Sequence, residues 1–307
     1  MRVRLLIITQ GLVLSLLCGL SGTASAQHPR GKDDSGLKLS FNATSMLQSD
    51  AKLQGGSEFS VSRFIFSAEM TKRITASTNV GLSLLYDHED YDFSGVTQFA
   101  GPSPWSEVHR FGAGVSCSQR LGQGWQLFIA PSIEYALESG ADWSTALIYG
   151  GVVSAGKRIS SDLTIGLGAG MFYRLEETQA FPYLMISWNI SEQWRLANPL
   201  RAGPTGPAGL ELTYAAAKDW DLGFGGAYRS IRFRLDDQGV APHGIGEVRG
   251  VPAWVRLSRS LGPVKANLYG GAVIWGRLSI EDEHGSGLGA ESFSPAPFAA
   301  LTLTARF

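Results

Sequence analysis

The sequence predicts an all-β fold, an antiparallel transmembrane β-barrel, and three observations lead to that prediction. Apolar residues alternate with small or polar ones at a period of two along the whole chain. Many alternating segments run to about 12 to 16 residues, whereas ordinary globular strands have about 5 or 6. The connections between the segments alternate between short and long, which is typical of barrels that span a membrane.

The alternation is clearest in residues 163–173 and 297–307. In the first segment Leu163, Ile165 and Leu167 share one side, and glycines fill much of the other. Successive side chains of a strand point to opposite faces, so this period predicts strands with one apolar face and excludes helices. A soluble sandwich would show the same period. The strand lengths and the connections favour the barrel.

The connections set the strand count. Short links lie at 73–77, 121–123, 158–161, 191–192, 218–219 and 261–263. Longer, polar links lie at 46–57, 93–106, 138–142, 175–178, 200–208, 236–246 and 281–294. These predict about 14 strands, with the short turns and both chain termini expected on the periplasmic side. The segments 193–199 and 209–217 are short. If these two do not span the membrane, about 12 strands remain.

The first residues predict export. Arg2 and Arg4 form a basic region, residues 5–17 are apolar, and residues 24–26 read Ala-Ser-Ala before Gln27. A basic start, an apolar stretch too short to span a bilayer and a small-residue cleavage site together make a signal peptide. We expect cleavage between Ala26 and Gln27.

The remainder is predicted to be one domain. Residues 1–26 form the signal peptide, residues 27–35 a short periplasmic tail, and residues 36–307 a single outer-membrane barrel. Cys117 is then the one remaining cysteine, which excludes an internal disulfide and gives no metal cluster. The net charge of −1 argues against a nucleic-acid partner. No cofactor and no metal site are predicted.

Aromatic residues collect beside the short turns. Trp125, Trp194 and Trp220 each open a strand directly after a turn, while Trp188 and Phe307 close strands. Tryptophan and tyrosine are enriched where a bilayer meets water. The placement therefore predicts an interfacial belt at the turn side.

The last residues carry a family resemblance. Leu301, Leu303 and Ala305 alternate up to the terminal Phe307, and this pattern resembles the last strand of Gram-negative outer-membrane proteins. In those proteins such an ending is read by the barrel-assembly machinery. The resemblance implies location in the cell outer membrane, with that machinery, outer-membrane lipids and lipopolysaccharide as partners.

Residues 180–307 also resemble an uncharacterised family of bacterial outer-membrane β-barrel proteins. The similar segments are 194–196, 198–199, 209–212, Tyr214, 228–230, 232–236 and 296–298. The resemblance implies fold and location, and it implies no functional residue because the family has no assigned activity.

Several charged residues fall opposite the apolar stripe. They are Arg110, Glu134, Arg174, Glu211, Arg229 and Arg256. A charge facing lipid costs about 2 to 4 kcal/mol at mid-bilayer, so these side chains are assigned to the lumen. One interpretation is an aqueous pathway that screens solutes by charge. The other is a ladder of arginine–carboxylate pairs that fills a closed barrel. The sequence leaves both open.

Three functions follow from these patterns. The first is a narrow porin-like channel for small solutes, unless loops 93–106 or 281–294 fold inward. The second is a non-conducting barrel that serves as surface structure, adhesin or assembly partner. The third is an enzyme at the outer rim. Asp90 with Asp92, and Asp282 with His284, resemble the paired groups of omptin-type proteases. No His-x-Ser pair for a lipid hydrolase occurs, and no catalytic residue is assigned.

One strand is out of phase. Ile231, Phe233 and Leu235 do not continue the alternation of Leu222 and Phe224. The break predicts a bulge, or a strand that continues above the membrane.

Overall fold

The computed structural model describes residues 36–99, 103–199, 203–205 and 208–307. The signal peptide, its cleavage position and the tail predicted for residues 1–35 lie outside these ranges. Within them, none of the helical structure is long and apolar enough to cross a membrane.

Sixteen strands and one short 3-10 turn, Trp143–Thr145, make up the described fold. The strands are β1 (Leu37–Lys52), β2 (Glu58–Arg73), β3 (Thr78–Ser94), β4 (Glu107–Arg120), β5 (Trp125–Glu138), β6 (Leu147–Arg158), β7 (Leu163–Arg174), β8 (Thr178–Asn189), β9 (Trp194–Ala197), β10 (Gly209–Ala217), β11 (Trp220–Ala227), β12 (Arg229–Arg234), β13 (Ile245–Leu261), β14 (Val264–Glu281), β15 (Gly287–Phe293) and β16 (Ala296–Arg306).

Fourteen strand positions close into a ring of antiparallel neighbours. The ring runs from β1 to β11 and then through β13, β14 and β16 back to β1. Nine residue pairs, from Ser40↔Arg306 to Gln48↔Phe298, join the first and last strands. The predicted antiparallel barrel of 14 strands is confirmed. The short strands β9 and β10 both belong to it, although only three residue pairs join β9 to β8.

Strands β12 and β15 extend the wall at the end that carries the long loops. β12 continues β11 beyond Tyr228 and pairs with residues 245–250 of β13. β15 pairs with residues 276–281 of β14 and reaches β1 through a bridge from Phe293 to Leu53. The predicted break of phase in residues 222–235 is thus confirmed as a strand that continues past the barrel proper.

Two predicted long loops are wrong. Most of 46–57 is strand, because β1 runs to Lys52 and only a tight hairpin follows, closed by the bond from Leu53 N to Ser57 O of 2.8 Å. Half of 281–294 is β15, and Glu281 still belongs to β14. Both segments lie beyond the lipid-facing band, where outward residues such as Ser49 and Asp50 are polar. Without an apolar stripe, a strand reads as a loop.

The outward faces carry large exposed apolar side chains, including Leu84 at 62% and Leu167 at 71% exposure. A soluble monomer rarely exposes so continuous an apolar surface, which here is the face that contacts lipid. We call the end with the short connections the turn end and the other the loop end. Trp125, Trp188 and Trp220 are all exposed at the turn end. Lys157 and Arg259 stack over Trp125 and Trp220, at 5.4 and 5.1 Å from the ring centroids.

Candidate functional site: the barrel lumen

The lumen is unevenly filled. On the side of β2 to β5, toward the turn end, the inward residues are mostly small, and most keep contact with solvent: Ser83 is exposed, and Gly112, Gly114, Ser116 and Ser132 are half-buried. A packed core would bury inward residues of this size. The part of the lumen beside these strands is therefore open space.

The opposite wall, formed by β13, β14, β16 and β1, is packed. Its inward hydroxyl and amide groups are buried and bonded to one another. Thr44 and Thr302 share a hydrogen bond of 2.8 Å between hydroxyls, and Ser258 Oγ donates to Asn267 Oδ1 at 2.8 Å. This side leaves no room for a solute.

A group of six charged side chains crosses the lumen, and we call it the charge layer: Arg63, Asp87, Glu89, Arg110, Glu134 and Arg229. Arg63 binds two carboxylates, with Nη2 2.6 Å from Asp87 Oδ2 and Nε 3.0 Å from Glu89 Oε1. These three side chains are at most 7% exposed. Three cations face three anions, so the charge layer is neutral overall.

The other half of the charge layer is more accessible. Arg110 bridges two carboxylates, at 2.9 Å from Asp87 Oδ2 and 2.9 Å from Glu134 Oε1. Arg229 Nη2 lies 3.3 Å from Glu89 Oε1. The Arg110, Glu134 and Arg229 side chains keep 17%, 21% and 14% of their surface exposed. They are the ones that a solute in the lumen would meet.

The charge layer lies near the loop end of the membrane band. Arg110 precedes the turn end of β4 at Arg120 by ten residues. At a rise of about 3.3 Å per residue and a tilt of about 40°, that is about 25 Å, the height of the apolar band of such barrels.

All six residues assigned to the lumen from the sequence are on inward faces. Arg110, Glu134 and Arg229 belong to the charge layer. Glu211 and Arg256 form a separate pair on the packed side, with Oε1 and Nη2 2.6 Å apart. Arg174 lies at the loop end, where Nη2 donates to Ser230 Oγ at 2.9 Å. That they line a conducting pathway stays a prediction.

The sequence missed Arg63 and Glu89. Arg63 lies among Phe64, Ile65 and Phe66, a run in which apolar residues occupy both faces and hide the alternation. Glu89 could be predicted from the sequence, because it lies two residues beyond Asp87 on β3 and therefore shares its inward face.

Above the charge layer an apolar cluster fills the loop end of the lumen, and we call it the apolar cap: Phe59, Tyr91, Trp105, Ile231, Phe233, Leu278, Ile280 and Phe293, all buried. Phe233 of β12 packs edge-on against Trp105 with centroids 5.3 Å apart. Phe59 meets Phe293 at 5.0 Å. Strands from several sides of the ring therefore meet across the opening.

Strand β12 fastens the apolar cap to the opposite wall. Arg232 Nη2 donates to Leu175 O at 3.0 Å, and Arg234 Nη2 donates to Thr145 O at 3.0 Å. A single bridge joins Arg234 to Leu137 of β5. The cap therefore closes the loop end in this structure.

Two connections also enter the lumen. Trp105, from loop 93–106, belongs to the cap, as the sequence allowed. Pro204 lies in the connection after β9, and its carbonyl oxygen accepts a bond of 3.2 Å from Arg63 Nη1. Loop 281–294, the other candidate for inward folding, forms β15 in the wall.

The rim residues Asp282, Asp90 and Asp92 have the following places in the structure. Asp282 Oδ1 accepts bonds from the backbone amides of Ser286 and His284, at 2.8 and 2.9 Å, and so holds the β14–β15 turn. Asp90 and Asp92 lie on the outward face of β3. Among the described residues no group of three or more His, Cys, Asp or Glu is placed to hold a metal ion.

Asp282 gives a test by pH. The backbone bond from Ser286 lowers the pKa of the Asp282 carboxyl below its ordinary value of 3.8. Its contribution to the turn is therefore complete above that value and is lost as the pH falls through the lowered pKa of the folded state. We expect the Ser286 amide resonance in NMR to titrate with a midpoint below 3.8. Asp282→Asn should abolish that titration, and a midpoint at or above 3.8 would contradict the capping role.

Comparison with known proteins gives a likeness of fold only. No family model matches the chain, and no curated protein sequence matches it. A solved outer-membrane channel from Pseudomonas putida F1 is similar over 91% of this chain and 100% of its own, with 9% identity and a TM-score of 0.49. The toluene transporters TodX of Pseudomonas putida and TbuX of Ralstonia pickettii cover 90% and 89% of this chain and 90% of their own chains, with 7% and 8% identity and TM-scores of 0.44 and 0.43. The resemblance of residues 180–307 to an uncharacterised family stays a prediction.

Proposed function

We propose that this protein is a narrow, porin-like channel for small solutes in the bacterial outer membrane, with its turn end in the periplasm. The observation that carries the proposal is the open part of the lumen, where most inward Gly and Ser residues of β3 to β5 stay accessible to solvent. A barrel that served only as a structural element would have no reason to keep that part empty. The location rests on the apolar outward face and on the terminal Phe307.

The charge layer would be the selective step. A solute that leaves the open space must pass Arg110, Glu134 and Arg229, which present both signs of charge. Rings of fixed charge select ions in narrow pores because few waters remain to screen them. The neutral sum favours small polar solutes of either sign over large anions or cations.

A non-conducting barrel is the second candidate, and the apolar cap is the observation that favours it. The cap closes the loop end, so the channel proposal requires the cap to move. We find no arrangement of described residues that favours an enzyme at the rim.

The two candidates differ in planar bilayers. As a channel, the purified protein should give discrete, small conductance steps, and Glu134→Gln should shift the reversal potential in a salt gradient toward anion selectivity, because Arg110 loses one of its two carboxylates. Glu69→Gln is the matched control: it removes an inward carboxylate on β2, in the wide part of the lumen, and should shift selectivity much less. A membrane that stays sealed at protein excess would leave the non-conducting barrel.

The partners remain proposals too. The alternating Leu301, Leu303 and Ala305 before Phe307 would be read by the barrel-assembly machinery. Phe307 is exposed, and its backbone pairs with Leu39 through bonds of 3.0 and 2.9 Å, so the signal lies beside the seam that closes the ring. Lipids and lipopolysaccharide would surround the apolar band.

A further inference from the structure

The outward face of the loop-end wall carries two arginines in direct opposition. Arg249 of β13 pairs in register with Arg277 of β14. Like charges directly across two antiparallel strands repel each other and destabilise the pair. An anion between the two charges would remove that repulsion.

No carboxylate of the protein fills that role. Among the described residues, neither Arg249 nor Arg277 makes a side-chain hydrogen bond or an ion pair. The nearby acids are engaged by a third arginine: Arg232 lies 2.8 Å from Glu281 and 3.9 Å from Glu247. The two guanidiniums are therefore left as free positive charge.

The space beside the arginines fits a small anion. Arg249, Arg277, Ser279 and Leu288 are among the residues that line a shallow, open cavity of about 430 Å³. Glu247 and Glu281 also line it, on the side where Arg232 binds them, so the cavity carries both signs of charge and its unpaired groups are the two arginines. The cavity thus offers two planar donors and a hydroxyl on one side and an apolar edge on the other.

The cavity lies at the level of the lipid headgroups. Trp275 is 80% exposed and has a φ of 52°, at a bulge where Trp275 and Gly276 face Gly250 across the sheet. It lies eleven residues beyond the start of β14 at Val264, or about 28 Å above the turn end at the rise and tilt used above. Exposed tryptophan at this height marks the interface of the second leaflet. Arg277 is two residues further out.

We propose that Arg249 and Arg277 bind a phosphate group on the headgroup of an outer-leaflet lipid, with Trp275 against the lipid's apolar part. Guanidinium forks match phosphate oxygens in geometry and charge. A bound phosphate would also neutralise the repulsion between the two arginines. The proposal does not require the barrel to conduct, but it rests on the proposed outer-membrane location with the loop end at the outer leaflet.

The test uses the full-length mature barrel in detergent, with bisphosphorylated lipid A as the probe and native mass spectrometry as the readout. Arg249→Gln and Arg277→Gln should each weaken binding by about tenfold or more, as expected for the loss of a charged hydrogen-bonding partner. Arg277→Lys should weaken it less. Arg259→Gln is the matched control, because Arg259 is an outward arginine on β13, like Arg249, but lies at the turn end. This variant should bind lipid A with the affinity of the wild type. Equal affinity for the wild type and the Arg249→Gln, Arg277→Gln double variant would overturn the proposal.

Two further probes identify the source of the phosphate. Fully dephosphorylated lipid A should bind as weakly to wild type as the phosphorylated form binds to the double variant. Inorganic phosphate should bind far more weakly than lipid A, and equal binding would overturn the assignment to a lipid. Thermal unfolding tests the proposal without a binding assay. Without lipid, Arg277→Gln should be at least as stable as wild type, while added lipid A should stabilise the wild type more than the variant.

Discussion

Phe233→Asp is expected to raise the conductance of the barrel several-fold and to lengthen its open periods. Phe233 is fully buried in the apolar cap and packs on Trp105. A carboxylate there has no partner, and burying an unpaired charge costs more than the cap gains from closing. The cap lies beyond the lipid-facing band, so the ring of 14 strands should persist. Single-channel recording measures the effect.

Leu288→Asp is the matched control for the cap experiment. Leu288 is also an apolar residue of the loop-end wall, but it is 60% exposed and lies outside the cap. The conductance of the Leu288→Asp barrel should therefore equal that of the wild type. Phe233→Leu, which keeps an apolar side chain, should stay near wild type as well. A Phe233→Asp barrel that folds, migrates as a compact band on unheated gels and still does not conduct would rule out the cap as the barrier.

Asp87→Leu is expected to lower the free energy of unfolding by about 3 to 5 kcal/mol, the usual cost of removing one partner of a buried ion pair. Asp87 is 1% exposed and accepts bonds from both Arg63 and Arg110. Each arginine keeps one carboxylate, but the charge layer gains a net positive charge in a poorly solvated place. Urea titration of the folded barrel in lipid vesicles measures the change.

Asp221→Leu provides the comparison for the charge layer. Asp221 pairs with Lys265 at 2.6 Å, but the two side chains are 27% and 35% exposed at the turn end. Pairs this accessible are worth about 0 to 1 kcal/mol. Equal losses in the two variants would mean that the charge layer is as well solvated as the turn end.

The sequence was sufficient for the membrane-spanning part of the fold. Inside the bilayer each strand must present an apolar outward face, so the period of two is visible from Leu163 to Tyr173 and from Pro297 to Phe307. Charges there must face inward, which is why the sequence assigns Arg110, Glu134 and Glu211 to the inward face, where the structure also has them. Beyond the band that requirement ends. β15 and the last residues of β1 therefore have no lipid-facing apolar stripe, and their sequences have the polar composition of loops.

The closure of the lumen by the apolar cap could not be predicted from the sequence, for a different reason. Phe59, Trp105 and Phe233 come from distant parts of the chain, and each is an ordinary strand or loop residue on its own. Only the crossing of β12 toward β5 brings them together. The break of phase at Ile231 predicts a bulge or a strand that continues above the membrane, but nothing local indicates that this strand reaches β5.

The shortness of β9 has a mechanical consequence. Three residue pairs join β8 to β9, whereas nine join β1 to β16. A barrel pulled apart sideways yields first along its least-bonded seam. That seam lies between two strands in the middle of the chain. The protein would therefore open into a sheet with β8 and β9 at its two edges. The first and last strands, β1 and β16, would remain paired at the centre of that sheet.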